Sequence, residues 1–267
     1  NRAERIRVLQ KGKGADDTRV IKNASQNHYE PLRSAFGAYV GETAFIGACN
    51  LLVEGVADQV LLVGMSRAIQ RRGVSSETES LDLNRLVLVP CGSANHVPYM
   101  LYLIRGRDSD APAVIVLLDS DKSGNENAAI LRKEDKQTRR LINPEYVMQF
   151  AEFDIVPSAP YAMVEPEDLL PPALAAAAAN LYFKEVADFR EGEAIVLTVA
   201  ELEPHLSTVK GIYDALKAAA KVHDGHIDKV GLARAIVALC EGEFPVDAAV
   251  AADITLFIER IKALFKG

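Results

Sequence analysis

The chain has 267 residues, 49% of them hydrophobic and 25% charged, with a formal net charge of −7. This composition is ordinary for a globular protein, and the length suffices for one large or two modest domains. No apolar run approaches the roughly 20 residues that cross a bilayer, and nothing at the start resembles a signal peptide, so we expect no membrane partner. Cys49, Cys91 and Cys240 are far apart and odd in number, which argues against a disulfide or zinc framework and favours the reducing cytoplasm.

The charge distribution leaves nucleic-acid binding open. A net negative charge argues mildly against it, because nucleic-acid binders normally carry a basic footprint. A site built from several acids, however, would itself make the sum negative. The basic residues cluster, either as solvated helix faces or as a binding surface. The clusters are Arg67, Arg71 and Arg72, then Arg105 and Arg107, and finally Arg132, Lys133, Lys136, Arg139 and Arg140.

Residues 1–49 are predicted to be a lead-in from the rest of a longer protein, since the sequence begins at Asn1 without a methionine. An apolar-periodic run from Leu32 to Ile46 predicts a helix before the first core strand. The stretch KGKGADDT contains two glycines but lacks the G-x-x-x-x-G-K-[ST] spacing of a phosphate loop, as does the rest of the chain.

From Leu51 onward, predicted strands alternate with predicted helices, which is the pattern of a doubly wound parallel sheet. LLVE is the first strand, followed by the helix VADQVLLVGMSRAIQRR. LVLVP is the second strand, and the loop CGSANH leads from it into another helix. AVIVLLD is the third strand, buried on both faces, and its helix is expected to begin near Ser123 or Asn125. FDIVP, from Phe153, is a shorter candidate strand.

After Pro171 and Pro172 the composition shifts toward helix formers. The segments predicted to be helical are the alanine-rich tract at 173–179, TVKGIYDALKAAAKV, KVGLARAIVALC and AVAADITLFIERIKALF. The short stretch IVLTV, at Ile195, is ambiguous. We therefore predict a sheet domain at 50–172 and a mainly helical domain at 173–267, either separate or packed on the sheet.

Two pairs of acids follow predicted strands. Glu54 ends the first strand and Asp58 comes one helical turn later, whereas Asp119 and Asp121 follow the third strand with both side chains on one side of the chain. Each pair has a structural alternative. Acids at a helix start are favoured by the helix dipole, and Asp121 or Ser123 would serve as an N-cap. A second D-x-D at 108–110 follows no buried strand, so we interpret it as a turn.

The position of the acids favours a metal site. Ligands of open α/β sheets bind at the carboxyl ends of the strands, where both pairs are expected. Four carboxylates converging there without cations would repel one another and retain protons at neutral pH. Hard oxygen ligands of this kind suit Mg²⁺ or Mn²⁺, so the sequence predicts a divalent-cation site at this edge of the sheet.

LLVEGVAD followed by VIVLLDSDKSG resembles the Toprim domain, the metal-dependent catalytic fold of topoisomerases, bacterial primases and several nucleases. The lead-in EPLRSAFGAYVGETAFIGACNLLVEGVADQVLL, the CGSANHV loop, MVEPEDLLPP and the helical tail further resemble the OLD (overcoming lysogenization defect) nucleases. This resemblance runs from about Glu30 to the helical end. It implies an α/β fold with a Toprim-type parallel sheet flanked by helices, an additional mainly helical domain, and an ATPase domain that precedes this region and acts with it in phage-related defence or exclusion.

The resemblance also implies a set of site residues, comprising several acids and one lysine. Glu54 matches the Toprim glutamate, Asp58 matches the acid one turn after it, and Asp119 and Asp121 match the aspartate pair. A later family acid matches Glu167 or, as the alternative, Glu165. A family lysine matches Lys229, with Lys210 and Lys217 as alternatives.

This set predicts a two-metal endonuclease that cuts DNA. Two divalent cations about 3.5–4 Å apart would bracket the scissile phosphate, one activating water and the other stabilising the leaving oxygen. Glu54, with Asp119 or Asp58, would hold one ion. Asp121 and Glu167 would help to hold the other.

Further residues are predicted to contact phosphate. Lys229 would offset charge that builds up on the phosphate in the transition state. Ser93 and Asn95, in the loop after the second strand, would bind phosphate or would simply form a turn before a helix. The basic segment after Asp121 adds Arg132, Lys133, Arg139 and Arg140.

Other functions have weaker support. His223 and His226 are three apart, but a glycine between them indicates a loop and no second pair completes a zinc site. A phosphatase or receiver domain shares the D-x-D but leaves Glu54 and Asp58 without a role. A non-catalytic interaction module would use the acids only as helix caps. The amphipathic C-terminal segment would pack internally or against another chain, so a homo-oligomer stays open.

Overall fold

The computed structural model describes residues 8–11, 18–21, 47–71, 81, 86–105, 112–133, 142–153, 164–190, 193–208, 211–242 and 258–263. In the lead-in, strands β1 (Val8–Lys11) and β2 (Thr18–Ile21) pair antiparallel. The helix predicted for 32–46 lies outside these residues.

A four-stranded parallel sheet forms the centre of the fold. It consists of β3 (Cys49–Val53), β4 (Leu86–Pro90), β5 (Ala113–Leu118) and β6 (Val147–Gln149), in the order β4-β3-β5-β6. All three neighbouring pairs are parallel, which confirms the predicted α/β sheet. Because β3 and β5 are adjacent, their carboxyl ends deliver Glu54 and Asp119 to neighbouring positions.

The prediction of a strand from Phe153 is wrong at that residue. Phe153 ends a 3-10 helix at Phe150–Phe153 and buries its ring in the core, while the fourth strand comes earlier, at Val147–Gln149. β6 pairs only with the last three residues of β5. A strand of three residues is too short to show the alternation by which strands are recognised. Residues 154–157 of the predicted strand lie outside the described part of the chain.

Helices cover both faces of the sheet. Helix α1 (Val56–Arg71) lies on the face to which Leu51 and Ile115 point, and α2 (Val97–Arg105) and α3 (Lys122–Arg132) lie on the face of Leu52 and Val116. Successive strand residues point to opposite faces, so both faces need apolar side chains. This explains the unbroken apolar runs of β3 and β5.

The part of the chain after Pro171 is mainly helical, as predicted. It contains α4 (Pro172–Arg190), α5 (Val199–Leu206), α6 (Ile212–Val222), α7 (Lys229–Glu241) and a helical segment at 258–263. The first four residues of the ambiguous IVLTV stretch lie within 193–198, which has no regular structure, and its last residue, Val199, begins α5. One cluster of buried apolar residues runs from the sheet through α1 into α4, α6 and α7. The helical part therefore packs on the α1 face of the sheet.

Helix α7 packs directly along α1. A Cβ on Gly64 of α1 would overlap Cγ2 of Val237 in α7, so the two backbones approach closely where this glycine lies. Farther along, Arg71 pairs with Glu241 at 3.2 Å. This packing fixes the start of α7, and hence Lys229, relative to the sheet. Among the helices that the structure describes, none is long and apolar enough to cross a membrane.

Candidate active site

Glu54 and Asp119 are in direct contact at the carboxyl ends of β3 and β5. Oε1 of Glu54 accepts a hydrogen bond of 2.9 Å from the backbone N–H of Asp119. Gly124, at the start of α3, lies against both residues. A Cβ there would overlap the carbonyl oxygen of Asp119 and lie 3.1 Å from Oε1 of Glu54. Only glycine allows α3 to begin so close to the two acids.

Asp58 and Asp121 cap helices. Oδ2 of Asp58 accepts from the N–H of Gly55 at 2.7 Å, and Oδ1 of Asp121 accepts from the N–H of Gly124 at 2.7 Å. The structural alternative considered for these acids is therefore realised in both. Asp58 nevertheless belongs to the site, because its side chain is buried close to Asp119. Burial is the largest cause of the raised pKa of Asp119, and the charge of Asp58 is the second.

A third segment, at 164–170, brings two more acids. It contains a 3-10 helix at Pro166–Leu169 and is joined to the D-x-D loop by the N–H of Ser120, which donates to the carbonyl of Val164 at 2.8 Å. Glu167 is buried and Glu165 half-buried. Glu54, Asp58, Asp119, Glu165 and Glu167 together are named the acid cluster below.

Asp168 organises this third segment and is absent from the predicted set. Its buried carboxylate accepts from the N–H groups of Val164 and Glu165, at 2.9 and 3.0 Å, and from that of Ile212 in α6, at 2.9 Å. It therefore ties the acid-bearing segment to the helical part. Glu165 and Asp168 have the spacing of a capping box. This spacing is the sequence signal that indicates the local role of Asp168.

Lys229 lies among the acids. Its Nζ atom is 2.5 Å from Oε2 of Glu165, 3.7 Å from Oε1 of Glu167 and 3.9 Å from Oδ2 of Asp119. The residue is the first of α7, whose start is capped by Asp228. The same ammonium lies 5.7 Å from the centre of the Tyr213 ring, within cation–π distance. The ammonium of Lys229 thus lies within 4 Å of three of the five carboxyl groups of the acid cluster.

The acid cluster contains buried carboxylate oxygens without hydrogen-bond partners among the described residues. Oδ1 of Asp119 and both carboxylate oxygens of Glu167 are buried and accept no hydrogen bond from the described residues. Buried anionic oxygens are costly unless they are paired or coordinate a metal, and oxygen ligands suit Mg²⁺ or Mn²⁺. Within the ranges described, no three acidic, histidine or cysteine side chains already form a metal-binding group. The ammonium of Lys229 lies between the acids instead.

Burial is the largest cause of the pKa shifts in the acid cluster. Burial raises the pKa of Glu54 to about 7, against the lowering effect of the Asp119 N–H, and raises the pKa of Glu167 to about 8, against that of Lys229. Burial also raises the pKa values of Asp58 and Asp119.

Lys229 shows the opposite balance. Burial alone would lower its pKa, but the nearby carboxylates, Glu167 foremost, outweigh burial and raise it. The lysine therefore stays charged at neutral pH, whereas burial favours the protonated forms of Glu54 and Glu167.

The chain is similar to solved structures of the C-terminal region of OLD proteins. The region from Burkholderia pseudomallei is 15% identical, with a TM-score of 0.41, and the match covers 82% of this chain and 100% of that one. A region from Xanthomonas campestris pv. campestris is 16% identical, with a TM-score of 0.47 and coverages of 83% and 98%. No family model matches the chain, and no curated protein matches it significantly.

The residues predicted to bind phosphate lie in different surroundings. Ser93 is half-buried and precedes a 3-10 helix, and Asn95 accepts from Nδ2 of Asn127 at 2.9 Å. Arg132 donates to the carbonyl of Val147 and pairs with Glu152, each at 2.7 Å, so it has a structural role at β6. Lys133 is exposed, and the predicted residues Arg139 and Arg140 lie outside the described ranges.

Gln149, at the end of β6, supports Asp119 from behind and is also absent from the predicted set. Its buried amide donates to the carbonyl of Asp119 at 3.3 Å and to Oδ1 of Asn125 at 2.6 Å, while its oxygen accepts from Arg132 at 3.2 Å. Asp119 is therefore held through its N–H by Glu54 and through its carbonyl by Gln149. A lone glutamine in a three-residue strand gives no sequence signal for this role.

Proposed function

We propose that this chain is the catalytic region of a metal-dependent DNA endonuclease of the OLD type. The observation that supports the proposal is the convergence of acids from three separate segments around the ammonium of Lys229, with oxygens on Asp119 and Glu167 that accept no hydrogen bond from the described residues. The family itself is proposed from the acidic motifs LLVEGVAD and VIVLLDSDKSG.

The acids would hold two divalent cations, Mg²⁺ or Mn²⁺. Glu54 with Asp119 or Asp58 would hold one, and Glu167 with Asp121 would help to hold the other. The bound cations would supply Lewis-acid stabilisation and an activated water. Between the two candidate glutamates, Glu167 is the better ligand, because neither of its oxygens accepts a hydrogen bond from the described residues, whereas Oε2 of Glu165 accepts one from Lys229.

Lys229 would act on the phosphate. An ammonium has three donors and no acceptor, so while Glu165 orients it, a further N–H is available to a phosphate oxygen. A donor fixed in position before the reaction stabilises charge as it develops. Loss of one such donor typically slows a reaction by about 10²–10³-fold, which sets the expected effect of Lys229→Met on cleavage.

Plasmid cleavage tests the proposal. Supercoiled plasmid would be incubated with the wild-type chain in Mg²⁺, Mn²⁺, Ca²⁺ or EDTA, beside Glu54→Ala, Asp119→Ala and, as a matched control, Glu185→Ala on the exposed side of α4. We expect nicked and linear products with Mg²⁺ or Mn²⁺ from the wild type and the control, and none from the two site variants. Full cleavage by Asp119→Ala would contradict the proposal, as would turnover of a small phosphomonoester without any DNA cleavage.

A further inference from the structure

A groove lies on the helical part beside the acid cluster. It has a volume of about 740 Å³ and runs between α6 and the loop 225–227 that leads to α7. Lys217 and Lys221 line it from α6, and His226 and Ile227 line it from the loop. Lys217 and Lys221 are four residues apart, so they lie on one face of the helix. Both are exposed, whereas the opposite face of α6 is buried in the core.

Tyr213 contacts residues of both the groove and the site. The Nζ atoms of Lys217 and Lys229 lie 5.0 and 5.7 Å from the centre of this ring, and its hydroxyl donates to the carbonyl of Ile227 at 3.1 Å. The two ammonium groups are therefore separated by no more than the sum of these distances. Since each strand of DNA rises about 3.4 Å per nucleotide, Lys217 lies within roughly three nucleotides of a phosphate at Lys229.

The groove is lined by two lysines, Lys217 and Lys221, and by one acid, Asp214. Lys217 pairs with Asp214 at 3.2 Å, but both side chains are about half exposed, at 48% and 44%, and exposed pairs of this kind are weak. Lys221 makes no ion pair with any residue that the structure describes. The chain carries a net charge of −7 and the neighbouring site is acidic, so a DNA strand needs local positive charge to approach.

We propose that this groove binds the backbone phosphates of the DNA strand next to the cut, through Lys217 and Lys221. The inference rests on the proposed endonuclease function and adds to it the path of the substrate. Tyr213 forms the boundary between the groove and the reacting phosphate.

The test compares Lys217→Gln/Lys221→Gln with a control, Arg67→Gln/Lys184→Gln, which removes the same charge from exposed positions outside the groove. DNA affinity would be measured by fluorescence anisotropy at several salt concentrations, with Ca²⁺. Each phosphate contact contributes about 0.9 to the slope of log affinity against log salt for duplex DNA. We expect the groove variant to bind more weakly and to lose roughly 1.8 from this slope, and the control to retain it.

A small substrate separates this inference from the proposed function. Bis(p-nitrophenyl) phosphate is a diester too small to reach from Lys229 to the groove, so its hydrolysis by the wild type reports on the acid cluster and Lys229 alone. Unchanged DNA affinity and salt slope in the groove variant would overturn the inference while leaving the nuclease proposal intact. Failure of the wild type to cleave either substrate, with lysine-dependent DNA binding, would overturn the nuclease proposal alone.

Discussion

Replacing Lys229 by methionine should destabilise the protein in the absence of divalent cations. The substitution keeps most of the side-chain volume but removes the ammonium from Glu165, Glu167 and Asp119. Removing one partner of a buried ion pair costs about 3–5 kcal/mol. Because the Lys229 side chain is 28% exposed, we expect a smaller loss in the free energy of unfolding than this range, about 2–3 kcal/mol.

The same substitution should increase the response to metal. An ammonium and a divalent cation satisfy the same carboxylates, so in the wild type the cation competes with Lys229. A cation that binds only the folded state adds about 2.7 kcal/mol of stability at one hundred times its Kd. At a fixed Mn²⁺ concentration, Lys229→Met should therefore gain more stability than the wild type and recover most of its loss.

Thermal unfolding in EDTA and in Mn²⁺ measures both effects. For a chain of this size a change of 1 kcal/mol shifts Tm by about 2–4 °C, so the loss in EDTA should be roughly 4–12 °C. Lys217→Met is the matched control, because Lys217 contacts the same Tyr213 ring but pairs only with the exposed Asp214. A variant at Lys229 that is as stable as the wild type in EDTA, or that gains no more from Mn²⁺, would refute the reasoning.

Three further substitutions have definite expected outcomes. Gly124→Ala should displace the Asp119 carbonyl, lowering stability by about 1–3 kcal/mol and abolishing plasmid nicking. Asp168→Ala should cost about 3 kcal/mol or more in urea unfolding, since it leaves three backbone N–H groups without their acceptor. Thr198→Ala should remove the hydroxyl hydrogen bond that, with those from the Thr198 N–H and His223, lowers the pKa of Glu201 to about 2. A lowered carboxyl pKa stabilises above about pH 4.5, so the Tm deficit of this variant should shrink as the pH falls toward 2.

Each of the three has a control that separates its mechanism from a general effect. A Cβ on Gly55 would meet Oδ2 of Asp58 at an ordinary 3.6 Å, so Gly55→Ala should be tolerated. Asp168→Asn keeps one acceptor and should lose less stability than the alanine variant. Thr208→Ala removes an exposed hydroxyl that donates to the carbonyl of His205, and its effect should not change with pH. A Gly124→Ala protein that nicks plasmid normally would contradict the close approach at Asp119.

The sequence predicted those parts of the site that depend on strand ends. β3 and β5 are unbroken apolar runs, and the acids that follow them had to meet because adjacent parallel strands end at one edge. Glu54 and Asp119 were predicted in this way. The sequence does not show which of the acids is buried in the site. Asp121 and Asp58 both cap helices, and only the packed structure shows that Asp58 is also buried in the acid cluster.

The contributions from outside the sheet could not be derived from local pattern. Lys229 is 110 residues from Asp119 along the chain, and nothing in the spacing of the sequence KVGLARAIVALC distinguishes it from a surface lysine. It was assigned only through a family resemblance. Gln149 binds the Asp119 carbonyl and Asp168 binds the Ile212 N–H, and no short pattern encodes these two tertiary contacts, although the spacing of Glu165 and Asp168 indicates the local capping box.

The packing of α7 on α1 links the two halves of the site, since α1 begins just after Glu54 and α7 begins at Lys229. A Cβ on Gly64 would overlap Cγ2 of Val237 and lie 2.5 Å from its Cγ1, so Gly64→Ala should push α7 away from α1. We expect a loss of about 1–3 kcal/mol in unfolding free energy, typical of overpacking, together with slower plasmid nicking. Adding Val237→Ala removes the overlapping methyl groups and should restore nicking more than stability, because the cavity it leaves has its own cost. If Gly64→Ala alone were harmless, or if the double variant stayed inactive although folded, the α1–α7 contact would not be what positions Lys229.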